Sequence, residues 1–140
     1  MLDLTGFRKA ISAMERTLAY GETLMHKDGA GSEIEKEVLT AAVVQHFEFT
    51  YELCWKYMRR WLEANLSPGV TAGFSRRQLF RLAAEQLLID CVEDWFTYHE
   101  LWNLTAHTYN SETSAEIIKA APGFCIHAKN LFSALESRND

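Results

Sequence analysis

From Ser32 to Asn65 the chain carries neither proline nor glycine, while apolar residues recur around most of a helical circumference. Ser32 and Glu35 spell a capping box at the start of that span, so a helix is predicted to begin there and to run to about Asn65. At ~1.5 Å per residue it is roughly 50 Å long, which makes it the spine of whatever the chain folds into. Only one narrow stripe of it is clearly polar. Gln45, Glu48, Glu52, Lys56, Arg59 and Glu63 share that stripe when residues are set about 100° apart. Phe47, Tyr51, Cys54, Trp55, Met58, Trp61 and Leu62 fill much of the remaining arc, more than packing on a single neighbour requires. Three neighbours in one bundle would cover such an arc, as would fewer neighbours and a second copy of the chain across an isologous interface.

The rest of the chain supplies the neighbours. Leu4, Phe7, Ile11, Met14, Leu18, Gly21 and Met25 recur at steps of three and four, predicting a first helix from about Asp3 to His26. The segment KDGAGS breaks it from the spine, and NLSPGVTAG, with Pro68, Gly69 and Gly73, ends the spine. Ser75 with Gln78 forms another capping box, opening a short helix to about Leu88. Asp90 with Glu93 repeats the signal for a helix starting near Cys91 and passing through Trp95, Tyr98 and Trp102. Asn110, or Thr113 with Glu116, caps a last helix, which Pro122 and Gly123 are expected to kink or interrupt. No strand pattern competes. The fold class is therefore all-α, an up-and-down antiparallel four-helix bundle with an additional short helix, in a single domain over residues 1–140.

Composition narrows function by exclusion. Hydrophobic residues make up 48% and charged residues 24% of 140, as in a soluble globular domain. A formal charge of −5 lacks the basic excess of a protein that coats nucleic acid. Cys54, Cys91 and Cys125 are far apart and odd in number, which suits reduced thiols in a cytoplasmic protein. No run approaches a membrane span, and the first residues show no signal-peptide pattern.

Chemistry-bearing residues are few. His99, Asn103 and His107 stand at i, i+4 and i+8, so they share one face of the fourth helix. Such a row is ordinarily a solvated face, and without paired carboxylates it is no metal site. No Gly-framed nucleophile and no Gly-rich phosphate loop is present. Arg76, Arg77 and Arg81 crowd the start of the short helix, where positive charge opposes the helix dipole. They read either as locally balanced surface or as a cluster that meets phosphate or an acidic partner. The aromatics Phe47, Phe49, Trp55, Trp61 and Trp95, at helical spacing, read as packing.

Three segments taken together, HFEFTYELCWKYMRRWLE (46–63), RRQLFRLAAEQLLID (76–90) and NLTAHTYN (103–110), resemble the nucleotidyltransferase substrate-binding family. The family's F-E-F-T-x-E-L-x-W-K is matched from Phe47 to Lys56. Its R-N-L-T-x-H-T-Y is matched at Asn103, Leu104, Thr105, His107, Thr108 and Tyr109, with Trp102 in place of the Arg.

The resemblance implies a bundle of the HEPN class, usually a homodimer, that works as the partner subunit of a separately encoded minimal nucleotidyltransferase. Ribonucleases of the class join the Arg and His of an R-x4-H motif across a dimer interface. Some are toxins whose antitoxin is the transferase, which adds nucleotide to the Tyr of H-x-Y. Carried over by residue, His107 is the motif His, Asn103 its neighbouring Asn and Tyr109 the modifiable Tyr. Trp102 argues against ribonuclease action, because a neutral indole cannot replace a fixed guanidinium beside developing phosphate charge. The reading is thus a non-catalytic substrate-binding subunit, holding a nucleotide or RNA at Trp102, Asn103, His107 and Tyr109. The alternative is a metal-independent HEPN ribonuclease in which His107 is catalytic and another basic residue stands in for the Arg. Neither calls for a metal or a cofactor.

Overall fold

The computed structural model describes residues 1–25, 33–107 and 110–139, with the backbone alone for Met25, Ala106 and His107. Five helices form: α1 Thr5–Met25, α2 Glu33–Asn65, α3 Arg76–Glu85, α4 Val92–His107 and α5 Ser111–Ser137. No strand occurs among the described residues, and none of the helices is long and apolar enough to cross a membrane. Ser32, the KDGAGS break and Tyr109 lie outside the described residues.

The spine packs against all four other helices of its own chain. Phe47, Tyr51, Cys54, Met58, Trp61 and Leu62 are buried, so the wide apolar arc is covered within one protomer. On one side α1 runs antiparallel to α2, with Phe7 stacked on Tyr57 at 5.2 Å near one end and Gly21 against Leu39 near the other. The same helix runs antiparallel to α5 through surface ion pairs, Arg8 to Glu136 at 2.6 Å and Lys129 to Glu15 at 2.7 Å. The centre of the core is Phe124 of α5, which meets Phe47 of α2 at 4.9 Å and Tyr98 of α4 at 5.0 Å, both edge to face. Beside it Cys54 and Cys125 are buried free thiols on α2 and α5. Burial pushes both thiols above their ordinary range, and Cys125 further disfavours ionisation of Cys54.

Phe49 departs from the packing expected of it, being 59% exposed. Its position explains why: it is four residues from Gln45 and three from Glu52, on the polar stripe itself. Ile34 and Val38, further up α2, are exposed as well.

Helix ends follow local chemistry. Ser75 and Gln78 form the capping box in both directions, Gln78 N–H donating to Ser75 Oγ at 3.2 Å and Ser75 N–H to Gln78 Oε1 at 2.8 Å. The helix stops at Glu85, three residues before the expected end, because Leu87 turns left-handed at φ 61°. Val92 begins α4 a residue later than the Asp90 signal suggests. Asn110 is the cap of α5, its Oδ1 accepting from Thr113 N–H at 2.8 Å, while Thr113 itself is buried inside the helix.

Pro122 does not interrupt α5, which is continuous from Ser111 to Ser137. Losing the proline N–H deprives the Ile118 carbonyl of its partner. Ile118 is an exposed residue on the rim of an open groove between α1, α2 and α5, a setting in which solvent can take the place of the lost donor. Ala121, Phe124 and Ala128 are buried and hold the two halves to the core.

Candidate functional site

The motif that departs from its family at Trp102 lies in the last turns of α4. Trp102 is half-buried, its ring stacked on His99 with centroids 5.9 Å apart and planes 17° from parallel. It also lies 5.7 Å from the ring of Tyr51 on α2, the two planes tilted by 37°. Thr105 Oγ1 donates to the Trp102 carbonyl at 2.6 Å, tightening the final turn. Asn103 is exposed. The backbone of His107 ends α4, and its side chain, with Tyr109, lies outside the described residues.

His99 is no member of a simple wet face. Its Nδ1 is hydrogen-bonded to the hydroxyl of fully buried Tyr51 at 2.7 Å. Burial lowers the pKa of His99, and the charges of Arg76 and then Arg77 lower it further, against a smaller opposite effect of Glu100. The imidazole is therefore neutral near pH 7. Burial likewise pushes the Tyr51 phenol far up, despite the nearby Arg76 charge, so it stays protonated.

The arginine cluster of α3 joins this group. Arg76 lies flat on Trp55 of α2, its guanidinium carbon 3.5 Å from the ring centre. Arg77 covers Phe96 at 4.4 Å and reaches Glu100 at 3.6 Å, while Arg81 sits 5.5 Å over the same Phe96 ring. Tyr51, Trp55, Arg76, His99, Trp102 and Asn103 thus come together from three helices.

Sequence reasoning had Trp102 and Asn103 as site residues and noted His99 and Arg76, but it did not join them to Tyr51 or Trp55. Tyr51 occupies the variable position of F-E-F-T-x-E-L-x-W-K, and Trp55 reads as core at its helical spacing. The pattern fixes Trp55 as its W without saying what the ring meets, and it leaves Tyr51 unmarked. Among the described residues no group of three or more His, Cys, Asp or Glu side chains is arranged to hold a metal ion.

A family model described as "nucleotidyltransferase substrate binding protein like" matches residues 2–137. A Haemophilus influenzae protein described as a probable ribonuclease HepT is 30% identical over 107 residues, covering 76% of this chain and 73% of that protein. A solved H. influenzae structure, described as revealing the fold of a substrate binding domain of a nucleotidyltransferase, matches with a TM-score of 0.81. It covers 96% of this chain and 99% of that one at 24% identity, a likeness of fold. A Thermus thermophilus crystal structure matches with a TM-score of 0.60 at 26% identity, over 87% of this chain and 98% of its own. With nearly its whole length accounted for in this way, the chain belongs to the nucleotidyltransferase substrate-binding protein-like family.

Proposed function

We propose that the chain is a non-catalytic partner subunit of a minimal nucleotidyltransferase, holding that enzyme's substrate or acceptor at Trp102, Asn103, His107 and Tyr109. In this reading it is one up-and-down bundle domain, a cytoplasmic homodimer within a larger hetero-oligomer, and the member of a toxin–antitoxin pair that faces a transferase antitoxin. The observation that carries it is Trp102 standing where nuclease relatives need Arg, within an otherwise intact N-L-T-x-H-T-Y. An indole stacked on a neutral imidazole offers a base a flat surface, and the exposed Asn103 amide offers it hydrogen bonds.

Co-expression with a cognate minimal nucleotidyltransferase, followed by purification through a tag on one chain and intact mass of both, tests the partnership. Recovery of both chains supports it, and recovery of the tagged chain alone overturns it. Incubating the pair with ATP and Mg²⁺ then tests Tyr109 as acceptor. An adenylyl mass on wild type that is absent from Tyr109→Phe assigns the modification there.

The ribonuclease reading predicts the opposite behaviour of the chain by itself. Purified protein is expected to leave RNA intact. Robust cleavage that disappears in His107→Ala would establish the alternative.

A further inference from the structure

Arg76 is a cation with no carboxylate in ion-pair contact: its guanidinium hydrogen-bonds with the Tyr51 hydroxyl and feels the charge of Glu52 only from beyond ion-pair reach. Among the described residues it makes no ion pair, whereas nearby Glu52 pairs with Lys56 at 3.4 Å and Glu100 with Arg77 at 3.6 Å. Its Nε is covered from solvent and has no hydrogen-bond acceptor, and the same holds for the indole Nε1 of Trp55 directly beneath it. Its place as the first residue of α3 adds repulsion from the helix dipole. Partly desolvating a guanidinium without a carboxylate is costly, and stacking on Trp55 returns only part of that cost. A cation fixed in this way is organised for an anion from outside the chain.

The surroundings identify that anion. Arg76 and Trp102 both border the Tyr51–His99 pair: Trp102 stacks on His99 and meets Tyr51 at a tilt, and the Arg76 charge acts on both. A planar, forked cation beside a half-exposed indole and an exposed amide suits a phosphate joined to a base. Glu52 and Glu100 in the same neighbourhood disfavour polyanions that bind by charge alone. We propose that Arg76, with Arg77 as the outer cation, holds the phosphate of a nucleotide whose base stacks on Trp102, supplying the positive charge that position 102 lacks. The proposal rests on the reading of Trp102 and Asn103 as a nucleotide site.

It also separates binding from cleavage. Arg76 stands at the level of His99, eight residues before His107 on one helix, about 12 Å along the axis at ~1.5 Å per residue. A phosphate held by Arg76 thus sits about two helical turns from the backbone of His107, so Arg76 is not expected to restore the R-x4-H chemistry.

Titration of the full chain with AMP, and separately with a six-nucleotide single-stranded RNA, tests this by calorimetry. Variants are Arg76→Lys, Arg76→Ala, Arg77→Ala and Trp102→Ala, each checked by thermal melting. Wild type is expected to bind at least one probe. Arg76→Lys, which keeps charge but loses the fork, is expected to weaken binding about tenfold, and Arg77→Ala about threefold with a shallower salt dependence. Binding of AMP alone assigns the phosphate to a free nucleotide, of RNA alone to a strand, and either supports the site. Arg76→Lys and Arg77→Ala make the test independent of whether Arg76→Ala folds. Unchanged affinity in both, with loss in Trp102→Ala, overturns the phosphate role and leaves the nucleotide site standing. No binding of either probe by wild type overturns both.

Discussion

At the scale of single residues, the pair Tyr51 and His99 carries the most consequence. The phenol is fully buried and hydrogen-bonded to the imidazole 2.7 Å away, with the Arg76 guanidinium as a further partner. Tyr51→Phe is expected to destabilise the fold by about 1 kcal/mol, read from urea denaturation, since it leaves a half-buried nitrogen without its partner. His99 also sets a pH dependence whose sign is fixed by its lowered pKa. Below its ordinary value of 6.5 the unfolded chain takes up a proton that the native imidazole refuses. Stability is therefore intact above that pH and declines as pH falls from it toward the lowered native value. His99→Gln should remove this part of the acid-side slope, measured by melts between pH 7 and pH 5, roughly the span in which histidine changes charge. Neither residue's partnership was legible in the sequence. The i, i+4, i+8 row placed His99, Asn103 and His107 on one face, but spacing along α4 says nothing of what α2 and α3 lay against that face.

At the scale of elements, local chemistry was read well where it was self-contained. The Ser75–Gln78 box needs only four consecutive residues, and it formed as expected. Between Asn110 and Thr113 the sequence left two caps open, and burial of Thr113 within the first turn decides for Asn110. Asn110→Ala is expected to cost about 1 kcal/mol by chemical denaturation. Pro122 was legible as a local defect, but the packing that keeps α5 continuous across it comes from other helices. Leu87 was not legible at all, because nothing about a leucine signals a left-handed turn. It is 79% exposed at φ 61°, so it contributes strain and little burial. Leu87→Gly removes a penalty of ~1–2 kcal/mol and adds ~0.5–1 of unfolded-chain entropy. A net gain of about 0.5–1 kcal/mol is expected, visible as a higher denaturation midpoint.

For the whole molecule, the covered arc of α2 shifts the case for self-association to a different surface. On α2 itself the large apolar residues left outside are Ile34, Val38 and Phe49, along the stripe that also carries Gln45 and Glu52. A homodimer is expected by light scattering at micromolar concentration. Phe49→Glu should move it toward monomer with little change in the monomer's own fold, because withdrawing a phenylalanine from water on association is worth about 1.5–3 kcal/mol. An unchanged dimer would place the contact elsewhere. The buried thiols at the α2–α5 seam give the molecule a clock of its own. Cys54 is fully buried and Cys125 nearly so, while Cys91 is half-exposed near the start of α4. A thiol reagent should modify Cys91 first, and reach Cys54 only in the moments when the two longest helices part. The delay between those two events measures how often this bundle breathes, with the chain's own cysteines as reporters and no substitution introduced.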